Sequence, residues 1–285
     1  MIYFRSRGAL FGECWFDDES PTADCKVDVL AFRQLSAPVA ATHCTPSLTL
    51  VSELTSDADE LLAGFDRNCR RNIAQAEKRD GLWMEFAAHP GPRLPDFCDF
   101  YDEFARQKGL RPADRVWLQG ACDANRFALA TVWRGREPLV RHGYVVGGKT
   151  ILAHCSASLF RKHDPEYRSL IARANRWLHW RSMLYFSEHG ATHYDWGGLF
   201  EDESTPERVG VNRFKKEFGG RPTRRFDCLV ARSARGHWRL GIKRLGDGWR
   251  YVGARVATRR RQSPTAVAKG PVRATQPGTS PGVDA

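Results

Sequence analysis

A short segment in the second half of the chain brings together glycines, carboxylates and lysines that can bind a ligand and act on it. It runs from Tyr194 to Gly220 and reads YDWGGLFEDESTPERVGVNRFKKEFGG. Lys215 and Lys216 can stabilise negative charge that develops on a ligand. Asp195 can orient or deprotonate an amine. The glycine-rich, acidic composition predicts a mobile loop that closes over the bound ligand.

Asp195 and His193 are the acid–base residues that this segment offers, and both also allow a structural interpretation. They are two positions apart and would share one face of a strand. Asp195 can act on an amine or accept backbone hydrogen bonds in the following turn. His193 is either a partner of Asp195 or a structural histidine. For Lys215 and Lys216 the alternative is a solvated helix face.

Helical patterns dominate the region before the middle of the chain. Ser56 or Asp57 is a suitable N-cap for an apolar stripe that continues to Gly81. Residues 95–108 have apolar side chains at helical spacing, and Gly109 ends that pattern. Short strands are predicted at 27–32, 47–51 and 82–87, and a short helix at 114–124.

Three β-rich runs joined by hairpin-type turns follow, at 127–133, 138–146 and 150–158. They predict an antiparallel meander. A long helix begins after Asp164 and ends near Gly190. Further strands are predicted at 191–196 and 225–231. This order predicts an α+β protein with a mixed sheet flanked by helices.

The last strand of the meander, the long helix and the strand after it form a strand–helix–strand unit. Such units place the ligand crevice at the carboxyl ends of their strands. Polar residues and glycines occupy those ends, although strand hydroxyl groups also commonly pair with backbone. The residues concerned are Ser156, Ser158, Asp195, Trp196, Gly197 and Gly198.

Three segments, in this order, resemble the GNAT-like acyltransferase superfamily and within it the FemAB-type branch. Residues 68–78, NCRRNIAQAEK, are similar to that branch's N-x-R-x-x-I-x-x-A-E-K helix. The meander ending at 155–158, with the long helix behind it, is the second segment. Residues 194–220 are similar to Y-D-x-G-G followed by G-x-x-x-F-K-x-x-F-G-G. The resemblance covers about residues 55–230 and implies a GNAT-like, mostly antiparallel sheet.

The resemblance also implies a cytoplasmic enzyme that moves an acyl group onto an amine. FemAB relatives use aminoacyl-tRNA and a peptidoglycan precursor, and other GNAT-like relatives use acyl-CoA with amino sugars or amino acids. We expect an acyl-CoA donor and an amine on a sugar or cell-envelope precursor as acceptor. Aminoacyl transfer from tRNA to a peptidoglycan precursor is the alternative. No metal is expected.

The resemblance assigns roles to individual residues. The Phe214–Lys215 step matches one whose lysine lies near the transferred group, so the resemblance implies that Lys215 is catalytic. Asp195 and His193, the acid–base residues of the same segment, complete the expected catalytic set. The usual phosphate loop, Q/R-x-x-G-x-G/A, is replaced by LFRKHDP at 159–165, where basic residues can still hold a phosphate. The residues expected to bind donor or substrate are Arg70, Arg71, Ser156, Ser158, Arg161, Lys162, Trp196, Gly197, Gly198, Phe214 and Lys216. For the pair on the 68–78 helix, an exposed basic face is the alternative.

Composition excludes several other classes of protein. The 285 residues are 42% hydrophobic, and no apolar run approaches the roughly 20 residues that cross a bilayer. The first 20 residues lack the pattern of a secretory signal. Eight cysteines are scattered without a close pair, so we expect reduced thiols rather than a zinc site. His154 and Cys155 are adjacent and would point to opposite strand faces, which argues against a thiol nucleophile.

The net charge of +11 is unevenly distributed. Residues 253–285 carry six basic residues against one acidic and are expected to form a disordered basic tail, solvated or in contact with a membrane surface. We divide the rest into N-terminal strands at 1–54, a partial first subdomain, and an acyltransferase domain at 55–252. A non-catalytic nucleic-acid-binding protein is the competing function. Its basis is a basic cluster with an interleaved tryptophan, formed by Arg221, Arg224, Arg225, Arg232, Arg235, Trp238, Arg239, Lys243 and Arg244.

Overall fold

Ten strands and seven α-helices occur in residues 1–17, 20–21, 25–160 and 164–245, which the computed structural model describes. The strands are β1 (Ile2–Ser6), β2 (Ala9–Trp15), β3 (Val29–Leu35), β4 (His43–Glu53), β5 (Leu82–Ala87), β6 (Phe127–Arg134), β7 (Glu137–Val146), β8 (Thr150–Ser158), β9 (His193–Gly198) and β10 (Arg221–Ala231). The helices are α1 (Ala58–Ala63), α2 (Arg67–Arg79), α3 (Leu94–Lys108), α4 (Arg115–Asp123), α5 (Pro165–Glu188), α6 (Pro206–Lys216) and α7 (Ala234–Leu245).

All ten strands join one sheet in the order β1-β2-β3-β10-β4-β9-β8-β7-β6-β5. The pairs β2–β3 and β8–β9 are parallel, and the other seven pairs in this sheet are antiparallel. The predicted α+β class, with a mixed and mostly antiparallel sheet, is therefore confirmed. The predicted tail at 253–285, with its membrane contact, lies outside the described residues.

The predicted meander is β6, β7 and β8, and the predicted long helix is α5. Asp164 caps α5 by accepting a hydrogen bond from the Tyr167 N–H at 2.9 Å, and Pro165 occupies the first helical position. The helix expected from residue 57 to residue 81 is instead two helices. Asp66 interrupts it by capping α2, with its carboxylate accepting from the Cys69 N–H. A second good N-cap inside an apolar stripe therefore divides it.

The expectation of a mobile loop over residues 194–220 is wrong, because its second half is helix α6. Thr205 accepts from the Arg208 N–H as N-cap, and Pro206 begins the helix. The acidic turn before α6 is held by the buried Asn212 side chain, which donates to the Phe200 carbonyl at 2.8 Å and to the Glu203 carboxylate at 2.7 Å. Capping and one buried amide order a segment whose composition is typical of a loop.

Strands β1 to β4 belong to the same sheet as the rest of the fold, with β4 hydrogen-bonded between β10 and β9. The boundary at residue 54 stays a prediction. Cys44 on β4 and Cys228 on β10 are directly opposite and form a disulfide bond, so the expectation of reduced thiols is wrong for this pair. The two cysteines are 184 positions apart, which hides the pairing from sequence spacing. The other six cysteines are not disulfide-bonded.

Buried apolar clusters cover both faces of the sheet. Around α5 the largest cluster includes Leu178, Tyr194, Trp196 and Phe218. The opposite face packs on α3 and α4 and includes Leu152. Because successive strand residues alternate, the residue between Tyr194 and Trp196 faces away from α5. In the described residues, no helix combines the length and apolar character that a bilayer span requires.

Candidate active site

The parallel strands β8 and β9 separate at their carboxyl ends. Their pairing runs for three positions and stops at Leu152 and Asp195. Beyond that point β8 continues to Ser158 beside β7, while β9 continues to Gly198 beside β4. The two strands therefore leave an opening in the sheet, and the backbone groups that face it are not used by a β8–β9 ladder.

Gly197 lies in this opening with a left-handed backbone, at φ 70°. Its N–H donates to Asp195 Oδ1 at 2.7 Å. A Cβ at this position would lie 3.7 Å from Leu152 Cδ1 and 3.9 Å from Lys215 Nζ. Glycine therefore allows both the backbone conformation and the close approach of the lysine.

Asp195 is fully buried, on the face of the sheet opposite α5. Its Oδ1 accepts hydrogen bonds from the Thr49 hydroxyl and the Gly197 N–H, while its Oδ2 is buried and has no hydrogen-bond partner in the described part of the chain. Burial raises the pKa of Asp195, opposed by these two hydrogen bonds and by the charges of Arg225 and Lys215. One oxygen therefore accepts the backbone hydrogen bond of the turn, and the proton-accepting role of the other stays a prediction.

Lys215 extends from α6 to the same opening and is only 8% exposed. Its Nζ donates to the Gly198 carbonyl at 2.8 Å. Burial lowers the pKa of Lys215 to about 8, and the carboxylate of Asp195 opposes this shift. The side chain is therefore a cation at neutral pH, held in a site of low polarity where it can stabilise a developing negative charge.

Buried aromatic and histidine side chains support Lys215 from the α5 side. His179 packs against the rings of Trp196, Phe214 and Phe218, and its Nδ1 is 2.8 Å from the Tyr194 hydroxyl. Burial lowers the pKa of His179 well below its ordinary value, with the nearby charge of Lys215 acting in the same direction. A neutral His179 next to Lys215 avoids a second buried cation.

A cavity of about 520 Å³ lies on the α5 side of the sheet, next to the end of β8. Its volume is in the range of small-molecule sites. Asn175 forms part of the wall, with its side-chain Oδ1 2.7 Å from His142 Nε2 and 3.4 Å from Ser156 Oγ. Arg176 pairs with Glu217 at 2.7 Å. The lining residues are Ser158, Phe160, Pro165, Arg168, Ser169, Ile171, Ala172, Asn175, Arg176 and Phe214.

Several of the residues expected from the sequence meet at the opening and the cavity. Asp195, Gly197, Gly198 and Lys215 lie at the opening. Trp196 packs under it and donates from Nε1 to Ser52 Oγ at 3.0 Å. Ser158 and Phe214 line the cavity, and Ser156 contacts it through Asn175.

Other expected residues lie elsewhere. Arg70 and Arg71 are exposed on α2, where they bond to the Phe65 carbonyl and the Asn68 side chain. Lys216 is exposed, 3.9 Å from Glu203. His193 lies where β8 and β9 are still paired, with Nδ1 2.8 Å from the Thr192 hydroxyl. Arg161 and Lys162 are outside the described residues.

Sequence reasoning missed residues that reach the site from distant or unremarkable positions. Thr49 is 146 residues from the carboxylate that it contacts. On α5, the only signal for Arg168, Ala172, Asn175 and Arg176 is their helical spacing, which puts them on one face beside the predicted apolar stripe.

A thiol nucleophile does not fit this site, although the reason differs from strand alternation. A bulge in β8 falls at His154, and both His154 and Cys155 pack on the α3–α4 side. Cys155 Sγ is 4.0 Å from the Gly143 carbonyl, and burial raises the pKa of its thiol to about 12. The thiolate is therefore not available near neutral pH. The described residues contain no group of three or more His, Cys, Asp or Glu side chains that could hold a metal ion.

Among the described residues, the basic cluster around β10 is only partly exposed. Arg221 and Arg224 are exposed, Arg225 is turned into the sheet, and Arg239 is buried. Trp238 is 64% exposed. The side chains of Lys243 and Arg244 are outside the described part. Nucleic-acid binding by this region stays a prediction.

Comparison with solved structures identifies the fold. The chain matches the crystal structure of FemX with a TM-score of 0.53 at 19% sequence identity, over 68% of this chain and 63% of that one. It therefore spans less than two thirds of the FemX chain. The protein has the GNAT-like fold of the FemAB type, as the sequence resemblance predicted. No protein-family model matches the sequence, and no curated protein matches it.

Two further matches have lower TM-scores. The C-terminal domain (DUF2156) of a putative lysylphosphatidylglycerol synthetase from Agrobacterium fabrum gives 0.47 at 14% identity, over 75% of this chain and 71% of that one. L-PGS from Bacillus licheniformis gives 0.47 at 12% identity, over 80% of this chain and 74% of that one.

Proposed function

We propose that this chain, which has the GNAT-like fold of the FemAB type, is an N-acyltransferase that uses acyl-CoA as donor. The acceptor is an amine on a sugar or another cell-envelope precursor. The observation that carries the proposal is the opening between β8 and β9, where a buried cation and a buried carboxylate with a free oxygen lie together.

The chemistry of amide formation needs the two groups found at this opening. The amine nitrogen attacks the thioester carbonyl, a C–N bond forms, and negative charge develops on the carbonyl oxygen. The cationic Lys215 stabilises that charge. Asp195 Oδ2 accepts the proton that the nitrogen loses. The C–S bond then breaks, and the leaving thiolate is protonated from solvent.

The cavity beside α5 supports a donor with an apolar arm and an anionic end. Ile171, Ala172 and Phe214 supply apolar wall, and Arg168 supplies an exposed cation at the rim. Because the cavity adjoins the carboxyl end of β8, an acyl group bound there can reach the opening. An acyl-CoA fits this cavity, because its thioester arm can lie against the apolar wall and its diphosphate can pair with the cation at the rim.

Aminoacyl-tRNA is the second candidate donor, and the exposed arginines on β10 favour it. Arg221 and Arg224 can contact a nucleic-acid backbone without lying at the cavity. Under this alternative the same opening transfers an aminoacyl group to a peptidoglycan precursor.

A transfer assay with the purified full chain tests the proposal. Radiolabelled acyl-CoA esters of increasing length and a mixture of aminoacyl-tRNAs serve as separate donor arms. Amino sugars, nucleotide-linked amino sugars and peptidoglycan precursors serve as acceptors. Lys215→Met is the test variant, and Arg213→Ala, an exposed change two residues earlier on α6, is the matched control.

Amide product with acyl-CoA, lost in Lys215→Met and retained in Arg213→Ala, supports the proposal. If product forms with aminoacyl-tRNA but not with acyl-CoA, aminoacyl-tRNA is the donor. Absence of product and of donor binding in both arms, together with salt-sensitive RNA binding, would replace the enzyme with a nucleic-acid-binding function.

The proposed compartment is the cytoplasm. The Cys44–Cys228 disulfide bond does not support this compartment, because disulfides rarely persist there. Finding the pair oxidised in protein trapped directly from cells would overturn the assignment.

A further inference from the structure

Polar side chains from three neighbouring strands surround Asp195 on the face opposite α5. Arg225 on β10 is directly opposite Ser47 on β4, so both side chains share one face. Thr49 is two residues further along β4, on the same face, and its hydroxyl donates to Asp195 on β9. We call Ser47, Thr49, Asp195 and Arg225 the inner polar cluster.

Three atoms of the inner polar cluster are buried and have no hydrogen-bond partner among the residues that the structure describes. They are Asp195 Oδ2, Arg225 Nε and Ser47 Oγ. A buried polar atom without a partner is costly, and native structures keep few of them. Three in one cluster therefore point to partners that a ligand supplies.

An ion pair on nearby strands illustrates the contrast. Glu13 accepts two hydrogen bonds from Arg33, at 3.0 and 2.6 Å, and a third from Trp117 Nε1 at 2.8 Å. Both of its carboxylate oxygens are satisfied within the protein. A purely structural carboxylate on this face can therefore be fully paired, and Asp195 is not.

The guanidinium of Arg225 also has hydrogen-bonding capacity that the described residues leave unsatisfied. Its side chain is 15% exposed, and it lies 3.7 Å from the carboxylate of Asp17, which is 51% exposed. Arg225 is close enough to Asp195 to stabilise its carboxylate, yet no hydrogen bond joins the two in the described structure. Arg225 and Asp195 therefore lie on one face of the sheet, and each has one buried atom whose hydrogen bonding is unsatisfied among the described residues.

We propose that the inner polar cluster is the acceptor subsite, and that the acceptor is a primary amine carrying a nearby oxyanion, a carboxylate or a phosphate. This inference rests on the proposed acyl transfer. The amine binds Asp195 Oδ2, and the oxyanion accepts from Arg225 Nε and from the Ser47 hydroxyl. The amine lies on the face of the sheet opposite the donor cavity. The opening between β8 and β9 connects the two.

The chemistry of Asp195 Oδ2 and Arg225 Nε favours this class of acceptor. Guanidinium groups bind carboxylate and phosphate oxygens strongly and carry no acceptor of their own. A neutral amine would leave Arg225 Nε unsatisfied. An acceptor with opposite charges at its two ends satisfies both side chains and adds no net charge to a buried site.

The test measures transfer to matched pairs of acceptors. L-Alanine and glucosamine 6-phosphate carry the oxyanion as carboxylate and as phosphate, and L-alaninamide and glucosamine lack it. The remaining common amino acids complete the carboxylate arm. Arg225→Gln is the test variant and Arg225→Lys the conservative one. Arg136→Gln, an exposed change of the same kind in the turn between β6 and β7, is the matched control.

We expect the oxyanion-bearing member of at least one pair to be preferred. Arg225→Gln should raise its KM roughly tenfold or more, with kcat within about twofold and the neutral member unaffected. Arg225→Lys should recover part of the loss, and Arg136→Gln should behave as the wild type. A preference for L-alanine over L-alaninamide identifies the oxyanion as a carboxylate. A preference for glucosamine 6-phosphate over glucosamine identifies it as a phosphate.

Equal use of charged and neutral amines, or equal effects of Arg225→Gln and Arg136→Gln, would overturn the inference and leave the acyltransferase proposal intact. If no amine is acylated, the proposed function fails, and calorimetric binding of the same probes decides the inference. Binding that Arg225→Gln alone removes supports the subsite. No binding of any probe overturns it.

Discussion

Lys215 donates to the carbonyl oxygen of Gly198 across the opening between β8 and β9, with 2.8 Å between the ammonium nitrogen and the oxygen. This contact holds the ammonium against the last residue of β9 and within electrostatic reach of Asp195. A buried lysine is retained in proteins when its charge is used, because removing it from water is costly.

Replacing Lys215 by methionine should lower the rate of acyl transfer by at least about a hundredfold, because the developing oxyanion loses its cation. Donor binding, followed by calorimetry, should change by less than about threefold, since the cavity is lined by other residues. The Arg213→Ala control should retain the wild-type rate. A Lys215→Met enzyme with wild-type kcat would remove Lys215 from the proposed chemistry.

The pH dependence of transfer should have its alkaline limit near pH 8. The pKa of Lys215 is lowered to about 8 by burial, so the cation is present below this pH and is lost as the pH rises through it. The groups that face Lys215 are Asp195, which opposes the shift, and His179, which is neutral. A kcat profile over pH 5–10 measures the limit, and a rate still constant at pH 10 would contradict it.

The acid side of the same profile should depend on Asp195. Burial raises the pKa of this carboxyl group, so its basic form is lost at a higher pH than for an ordinary aspartate. Asp195→Asn should lower kcat at least about tenfold and remove this acidic limb. An unchanged limb in Asp195→Asn would assign it to another group.

Filling the cavity should block the donor without unfolding the protein. Ala172 is exposed on α5 and lines the cavity, so Ala172→Trp places an indole where the donor binds. We expect donor affinity to fall at least about tenfold, with Tm changed by less than about 3 °C. Glu188→Trp, at the exposed end of the same helix, is the control. Equal donor affinity in the two variants would move the donor site elsewhere.

Buried histidines should make the fold sensitive to acid. Burial lowers the pKa of His142 and of His154 to about 4, against an ordinary value of 6.5. Between these values the unfolded chain binds more protons than the folded protein, so stability is present above pH 6.5 and is lost as the pH falls toward 4. Thermal unfolding should give a Tm about 5 °C or more lower at pH 4.5 than at pH 7.

His142→Gln should flatten this dependence, and His43→Gln, a change at an exposed histidine, should leave it unaltered. If the wild type and His142→Gln lose stability in parallel, His142 is not a source of the acid sensitivity.

Much of the fold follows from local patterns, because caps and hairpin turns are short-range. Asp164 and Pro165 begin α5, and the turn between β6 and β7 has its glycine, Gly135, at φ 59°. β1, β2 and α7 have weaker local patterns: β1 and β2 fall within the N-terminal strands expected at 1–54 without being placed individually, and α7 was not predicted. Helix α6 was missed because its glycines and acidic residues are also typical of loops, and the order comes from the buried Asn212.

The site was predictable only in part. Asp195 and Lys215 lie in one recognisable segment, but Thr49 and Arg225 join Asp195 through strand pairing, which no local pattern encodes. The Cys44–Cys228 bond depends on the same long-range pairing. Burial of Lys215 was also not visible, since the adjacent Lys216 has the same type of side chain and is exposed.

The separation of β8 from β9 also constrains the kinetics. With the donor on one side of the sheet and the amine on the other, neither substrate needs to leave before the second binds. The Cys155 thiol, with its pKa raised to about 12, offers no route through a covalent acyl-enzyme. Initial rates measured at varied donor and acceptor concentrations should therefore give intersecting rather than parallel double-reciprocal lines.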